Sequence, residues 1–533
     1  MTREQTESRE RKAAASIAQR LETGSIVSRQ ELESAKREVS RSYSLDRYLS
    51  NSEVLAALTP EARNRFEELL RMHPRRSASG IVVVTAFSAP FLCPHGTCIF
   101  CPGGPRAQTP QSYMPDSPGM KTALRAAFDP YRQVQASLEK YATNGHSVGK
   151  VETIIEGGTF LAVPPGYQLN FVKGVYDGLN GFVSESLAES QAANEGATSR
   201  CVGLTLETKP DWCRPRDVDT MLEYGVTRVE VGVQSLQDHV LERSNRGHSF
   251  QDSVDAFQVA RDAGLKVVAH MMPGLPGADP ETDLKEAKSL FADESLRPDM
   301  MKVYPTLVVE GTALARQFEA GAFSPYDLET VVGLLSEVKR YVPRWHRIMR
   351  IQREIPAHEI LAGVKNGNLR ELVLSKARKS GHPCGCIRCR EVALGEPGVL
   401  GDDDELRYME SRYEASGGVE VFGSFEYERG GKIAGFFRLR LPSSRAHRAE
   451  TRGSSILREL RVYGRAVSVG DARSKAWQHK GLGRWLMGEA EKVAREDFDS
   501  RSILVTSAVG TRNYYRKLGY ESLGPYMHKT LSH

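Results

Sequence analysis

No stretch of this 533-residue chain is apolar for long enough to cross a bilayer, so no membrane-spanning helix is expected. The N-terminus lacks the apolar core of a secretory signal. It is charged and mixed, as in Arg9-Glu10-Arg11-Lys12, and a cytoplasmic protein is expected. Internal repeats and low-complexity tracts are absent, which sets aside solenoids and disordered arrays. A strong charge of one sign is missing too, since the formal net charge is only +5. Cysteine is scarce, with eight residues. In a cytosolic chain these argue for metal or redox sites before disulfides. Six of the eight crowd into two short clusters, whereas Cys201 and Cys213 read as packing residues.

What is present is enough sequence for several hydrophobic cores. The apolar fraction of 40% and charged fraction of 26% are those of a globular protein. Charge is unevenly placed. Lys339 to Arg390 holds 13 Lys/Arg against Glu354, Glu359 and Glu371, a local excess of +10 that leaves about −5 for the rest. Such a belt suits a polyanion such as RNA, or is an Arg-rich solvated surface.

Residues 1–75 read as a basic helical segment. Over 76–360, β-rich runs alternate with helical stretches: Ile81–Phe87, Lys150–Glu156, Val202–Glu207, Arg228–Gln234, Lys266–His270, Met301–Tyr304 and Arg347–Ile351. This alternation predicts a mainly parallel α/β sheet with ligands at the carboxyl ends of its strands. A basic junction over 361–404 follows. Residues 405–533 alternate apolar and polar positions as half-buried antiparallel strands do, in Val419–Tyr427, Lys432–Leu441, Ser455–Val462 and Ser502–Ser507. The expectation is an α/β barrel-like domain followed by an α+β domain.

The first cluster is Cys93, Cys98 and Cys101, spaced C-x4-C-x2-C in a Gly/Pro-rich loop just after the first strand run. Three thiolates leave one iron of a four-iron cube open to a small molecule. The competing assignment is zinc, which wants four ligands, with His95 as the fourth. The second cluster is Cys384, Cys386 and Cys389, in the junction. A structural zinc there would brace a segment with little core of its own. His382 and His358 are the local candidates for a fourth ligand, and a second redox cluster is the rival reading. Farther on, Gln478-His479-Lys480-Gly481-Leu482-Gly483-Arg484 opens a helix whose free amides suit a pyrophosphate. Tyr514 and Tyr515 lie in a later helical stretch and are, with Lys150, the candidate catalytic residues; Tyr515 suits proton donation to a departing thiolate. Glu459 is the candidate carboxylate base.

Three resemblances follow from these motifs. The region of about 81–356 resembles the radical S-adenosylmethionine (SAM) enzymes. Its cysteine loop carries one residue more than their commonest spacing, Gly157-Gly158-Thr159 is similar to their glycine motif, and Arg228–Ser235, including Gln234, is similar to a segment shared by several branches. The C-terminal region resembles the GNAT acetyltransferases, in which a splayed strand and a Q-x-x-G-x-G loop hold coenzyme A. The fusion, with Cys101-Pro102-Gly103-Gly104-Pro105, Gly145–Lys150 and Glu459–Gly464, resembles the catalytic subunits of Elongator in their stand-alone form. That resemblance implies synthesis of 5-carboxymethyluridine at U34 of tRNA. A [4Fe-4S] cluster and SAM would generate a radical that activates the methyl of acetyl-CoA for addition to C5 of the base. It implies acetyl-CoA contacts from Lys150, Glu459, Leu460, Arg461, Val462, Leu482–Arg484 and Tyr515. It also implies an external electron donor, no obligatory protein subunit, and zinc at the second cysteine cluster. Three other readings stay open: a protein lysine acetyltransferase with a structural iron site, another radical SAM enzyme, and a tRNA-binding scaffold.

Overall fold

The computed structural model describes residues 3–72, 77, 79–392, 405–463 and 481–531. Four helices open the chain: α1 (Arg3–Glu22), α2 (Arg29–Ser42), α3 (Asn51–Ala57) and α4 (Pro60–Leu70). Ser28/Glu31 and Ser50/Glu53 close reciprocal capping boxes at the starts of α2 and α3, so local sequence fixes where those helices begin. Their apolar faces meet in a separate core around Ile17, Leu21, Val39 and Leu55. This bundle is tied to the next domain by Arg63 and Arg71, which donate to the carbonyls of Ala142 and Gly145 at 3.1 and 3.0 Å.

Seven parallel strands then form one sheet in chain order, a half-barrel: β1 (Val82–Phe87), β2 (Lys150–Glu156), β3 (Arg200–Thr208), β4 (Arg228–Gln234), β5 (Lys266–Met271), β6 (Met300–Val303) and β7 (Arg347–Arg350). Each strand neighbours the next, as helical crossovers dictate. Cys201 and Cys213 are fully buried in its core, as expected of packing thiols.

A second seven-stranded sheet follows: β8 (Leu406–Ala415), β9 (Gly418–Tyr427), β10 (Ile433–Leu441), β11 (Ser454–Val462), β12 (Ser502–Val505), β13 (Glu521–Leu523) and β14 (Tyr526–Thr530), in the order β8-β9-β10-β11-β12-β14-β13. Only β11 and β12 run parallel, and they pair from Ser454–Leu457 against Ser502–Val505 before parting. The bulge in the β10–β11 ladder at Arg458 bends β11 away at the same point. The result is the GNAT fold, a sheet split by a wedge.

The two sheets are not loosely tethered. Ile456, Leu504, Val509 and Tyr526 belong to the half-barrel's own apolar cluster. Around them lies a buried ionic ladder. Arg440 pairs with Asp262 at 2.6 Å and Glu420 at 3.0 Å, and Arg458 pairs with Asp299 at 2.5 Å and Glu420 at 2.8 Å. Asp262 and Asp299 come from the half-barrel, the other members from the GNAT sheet.

The basic belt is not one solvated face. Lys339 and Arg390 are buried, and Arg347, Arg350, Arg353, Arg370 and Arg388 are partly so. Arg347 pairs with Glu391 at 2.8 Å and Arg390 with Glu426 at 2.7 Å. Exposed cations are confined to Arg340, Arg344, Lys365, Lys376, Arg378 and Lys379.

Candidate functional site

Two pockets open at opposite ends of the half-barrel strands. At the carboxyl ends, Cys93, Cys98 and Cys101 line one cavity together with Gly158, Thr159, Glu207, Glu230, Gln234, Arg246 and His270. Arg246 donates to the Cys98 sulfur at 3.3 Å, and the Ser112 hydroxyl lies 3.2 Å from the Cys101 sulfur. Gly158 has φ +78°, and a Cβ there would lie 3.5 Å from the Cys93 sulfur. Glycine is needed there for its left-handed backbone, which turns the motif alongside the thiol loop. The three sulfurs do not close to within 4.8 Å of one another, unlike those of the second trio. A single zinc with Zn–S of about 2.3 Å would draw them to about 3.8 Å apart. Arg246 and Ser112, both facing these sulfurs, are groups that would tune a cluster held by them. His95, the alternative fourth ligand, has Nε2 3.1 Å from the Cys98 sulfur.

Glu207, Glu230 and His270 in the walls of this pocket, and the residues around them, are ionisable groups that the motifs did not mark. Glu230 accepts from His270 at 2.8 Å and from Lys302. Tyr113 donates to Glu207 at 2.9 Å. Burial, reinforced by Glu207, pushes the Glu156 carboxyl up to about 8. The signal lay in the strands themselves. Parallel strands buried on both faces read as apolar runs, so charges at alternate positions (Glu152 and Glu156, Arg228 and Glu230) mark a lumen-facing side.

At the amino ends of the strands, the wedge between β11 and β12 forms the second pocket. Leu457, Arg458, Glu459, Leu460, Arg461, Ser507 and Tyr515 line it from the GNAT side, and Glu152, Thr205, Arg228 and Lys266 from the half-barrel side. Glu459 is held by Arg438 at 2.9 Å. Although burial acts to raise its pKa, Arg438 and Arg461 lower it on balance. Burial pushes the Lys266 ammonium down to about 8. Burial also raises the Tyr515 hydroxyl, which stays protonated at neutral pH.

The two tyrosines touch but face different surroundings. Tyr515 is buried in the cleft, while Tyr514 is half-exposed with its ring edge-on to Tyr515 at 5.1 Å. Gly481, at φ +81°, caps α5 (Leu482–Glu496). A Cβ on Gly483 would sit 2.9 Å from the Tyr514 hydroxyl. The Leu482 side chain is buried in the GNAT core, which leaves its backbone for a ligand. Val462, next along β11, also packs against that core. Arg484 lies in the first turn of α5. Gln478 and Lys480 lie outside the described residues. Lys150 stands at the start of β2 with its surface open to solvent, and partial desolvation of its ammonium, followed by the neighbouring Arg200, lowers its pKa.

Cys384, Cys386 and Cys389 bring their sulfurs within 4.8 Å of one another. Lys339 donates to the Cys384 sulfur at 3.5 Å from a buried position. His358 is instead 3.7 Å from Asp116, in a separate exposed group with Glu359, and does not join the trio. His382 is exposed and is not in the trio's group either.

Profiles of known families divide the chain in the same order. The Radical SAM superfamily matches residues 90–288, the Radical_SAM C-terminal domain 298–379, and the Acetyltransferase (GNAT) family 396–520. The chain is thus a radical SAM protein joined to a GNAT acetyltransferase domain. The ELP3 N-terminal domain matches residues 10–78. A tRNA uridine(34) acetyltransferase of Methanocaldococcus infernus is 42% identical over 522 residues, which span 97% of this chain and 98% of that protein. Human Elongator complex protein 3 is 40% identical over 510 residues, 94% of this chain and 93% of its own. The solved structure of the archaeal M. infernus Elp3 with an N-terminal deletion aligns with a TM-score of 0.75 at 42% identity, covering 85% of this chain and all of that one. The chain belongs to the Elongator complex protein 3 family.

Proposed function

We infer that this protein modifies the wobble uridine, U34, of tRNA with radical SAM chemistry and acetyl-CoA, and that the product is 5-carboxymethyluridine. The observation that carries this reading is end-to-end similarity to a tRNA uridine(34) acetyltransferase together with a thiol-lined pocket and a thioester-type cleft on one set of strands.

Cys93, Cys98 and Cys101 would hold the [4Fe-4S] cluster, with Gly157, Gly158, Thr159 and Gln234 beside the SAM it binds. Cluster and SAM, when bound, supply a 5′-deoxyadenosyl radical. Glu459, Leu460, Arg461, Val462, the α5 entrance from Gly481 to Arg484, and Lys150 are assigned to acetyl-CoA, with Gln478 and Lys480 extending that entrance. Tyr515 is the proton donor to the departing thiolate, because it lines the cleft and keeps its proton. Tyr514 supports the Gly483 turn. Chemistry on a base requires it to leave the stack, so uridine would enter the carboxyl-end pocket flipped out. The exposed junction cations Lys376, Arg378 and Lys379, together with the N-terminal bundle, would meet the RNA phosphates.

The Cys384–Cys389 trio is assigned a structural zinc, supported by its close sulfur spacing. We divide the chain as 1–75, 76–360, 361–404 and 405–533, and expect it to work in the cytoplasm without obligatory subunits, with an external electron donor. The test is anaerobic. Reconstituted enzyme receives SAM, reductant, tRNA and acetyl-labelled acetyl-CoA, and the digested RNA goes to mass spectrometry. Label in a uridine derivative is expected. Cys98→Ala should end SAM cleavage and spare tRNA binding. SAM cleavage without labelled nucleoside would overturn the reading.

A further inference from the structure

The two pockets are separated by a single layer of side chains. On β4 the thioester cleft reaches Arg228 and the thiol-lined pocket reaches Glu230; on β3 the corresponding residues are Thr205 and Glu207. Two residues of extended chain span only about 7 Å. The layer is ionic. Arg228 pairs with Glu152, whose other carboxylate oxygen takes Arg461 of β11 at 3.2 Å. Arg228 Nε lies 3.7 Å from Glu230 Oε1, and the far oxygen of Glu230 is held by His270 and Lys302.

Arg228 is 4% exposed, yet its Nε and one terminal nitrogen make no hydrogen bond among the described residues. The facing Glu230 Oε1 makes none either. Buried N–H groups of a guanidinium are costly to leave unmet. Arg228 is therefore a donor aimed into the lumen between the sites, fixed at its other end by Glu152. A short acyl oxygen is the acceptor that fits a planar guanidinium in this position.

We propose that the two-carbon acyl unit passes through the half-barrel lumen and that Arg228 receives its oxygen on the way from the thioester cleft to the radical pocket. This rests on the function inferred above. The oxygen is either the carbonyl of the intact thioester, carried in on the pantetheine arm and freed from coenzyme A by water after addition to the base, or the carboxylate of acetate that water has already released together with coenzyme A, two sources of one chemistry.

The test uses the full-length, cluster-reconstituted enzyme with SAM, reductant, tRNA and [14C-acetyl]-CoA. The readout is label in tRNA per coenzyme A released and per 5′-deoxyadenosine formed. Arg228→Lys and Arg228→Gln should lower both ratios at least tenfold, with label appearing as free acetate. A merely structural role would lower all products together and leave the ratios unchanged, which overturns the proposal. Thr205→Leu narrows the same lumen while keeping the Arg228 pairs. It should uncouple in the same way, and it decides the matter if the Arg228 variants fail to fold; unchanged ratios in it overturn the proposal. Replacing acetyl-CoA by [14C]acetate plus coenzyme A separates the two sources: label in tRNA marks the free carboxylate, and label from acetyl-CoA alone marks the thioester. An unlabelled tRNA from wild-type enzyme sinks the functional reading and this inference with it. Wild-type labelling with unchanged ratios in the variants sinks this inference alone.

Discussion

Removing Arg458 should loosen the joint between the half-barrel and the GNAT sheet. Its side chain is fully buried, and it donates to Asp299 at 2.8 and 2.5 Å, to Glu420 at 2.8 Å and to the Leu265 carbonyl at 2.9 Å. Breaking a buried pair by deleting one partner costs about 3–5 kcal/mol, because the other charge stays buried. Here both carboxylates keep a second guanidinium. Arg438 lies 3.6 Å from Asp299, and Arg440 lies 3.0 Å from Glu420. Arg458→Met should therefore fall at the low end, about 3 kcal/mol. Asp299→Asn should cost a similar amount, and the double variant less than the sum by about 2 kcal/mol. Trp345 of the half-barrel stacks on Tyr413 of β8 with centroids 4.2 Å apart, so its fluorescence in urea reports the joint directly. Single variants costing under about 1 kcal/mol, or a coupling near zero, would refute the idea that these ions hold the joint.

Other consequences follow from the same geometry. Burial raises the Glu152 pKa but Arg228 and Arg461 bring it down to about 2, so its contribution is present above about pH 4 and lost as pH falls toward 2; Glu152→Gln should flatten acid unfolding over that window, and an unchanged acid limb would count against the pairing. Glu156, raised by burial to about 8, holds in the folded state a proton that the unfolded chain releases. Stability should therefore fall as pH rises from about 4.5 to 8, and Glu156→Gln should remove that slope in urea titrations. Gly510→Ala would place a Cβ 2.7 Å from the Cys201 carbonyl oxygen and 2.9 Å from its nitrogen. Backbone cannot yield cheaply, so a loss of about 1–3 kcal/mol is expected, and an unmoved urea midpoint would refute the close packing. Cys386→Ser should release the zinc assigned to the junction, read as metal per chain by elemental analysis, with a lower melting temperature that chelator treatment of the wild type reproduces.

The sequence spelled out the half-barrel because parallel strands buried on both faces are apolar runs that end in small residues. All seven runs are strands within one or two positions. The thiol loop was legible from spacing alone. β8 was not: Leu406–Ala415 falls in the region expected to be antiparallel, but its positions before Ala415 are exposed or only partly buried along a sheet edge and offer no apolar run to read. The terminal pair β13 and β14 is short and polar on one side, and carries little pattern. The ionic ladder was beyond reach for a different reason. Arg440 and Asp262 are 178 positions apart, and nothing local in either strand or helix names the partner. The same blindness inflated the basic belt, since seven of its thirteen cations are buried or partly buried rather than solvated.

The ladder also bears on how two chemistries share one protein. Buried ion pairs add little net stability over well-packed apolar residues, but they are directional. An apolar face tolerates sliding, whereas Arg440 on Asp262 and Arg458 on Asp299 are satisfied in one register only. That register sets the 3.2 Å contact between Arg461 of β11 and Glu152 of β2, which in turn anchors Arg228. A slip of one strand residue, about 3.3 Å, would break that contact and close the wedge against the wrong strands. The joint is therefore built for alignment more than for adhesion. An acyl unit moving between ends of one sheet needs its donor cleft placed to within an ångström of the lumen, and this is the property the charged interface supplies.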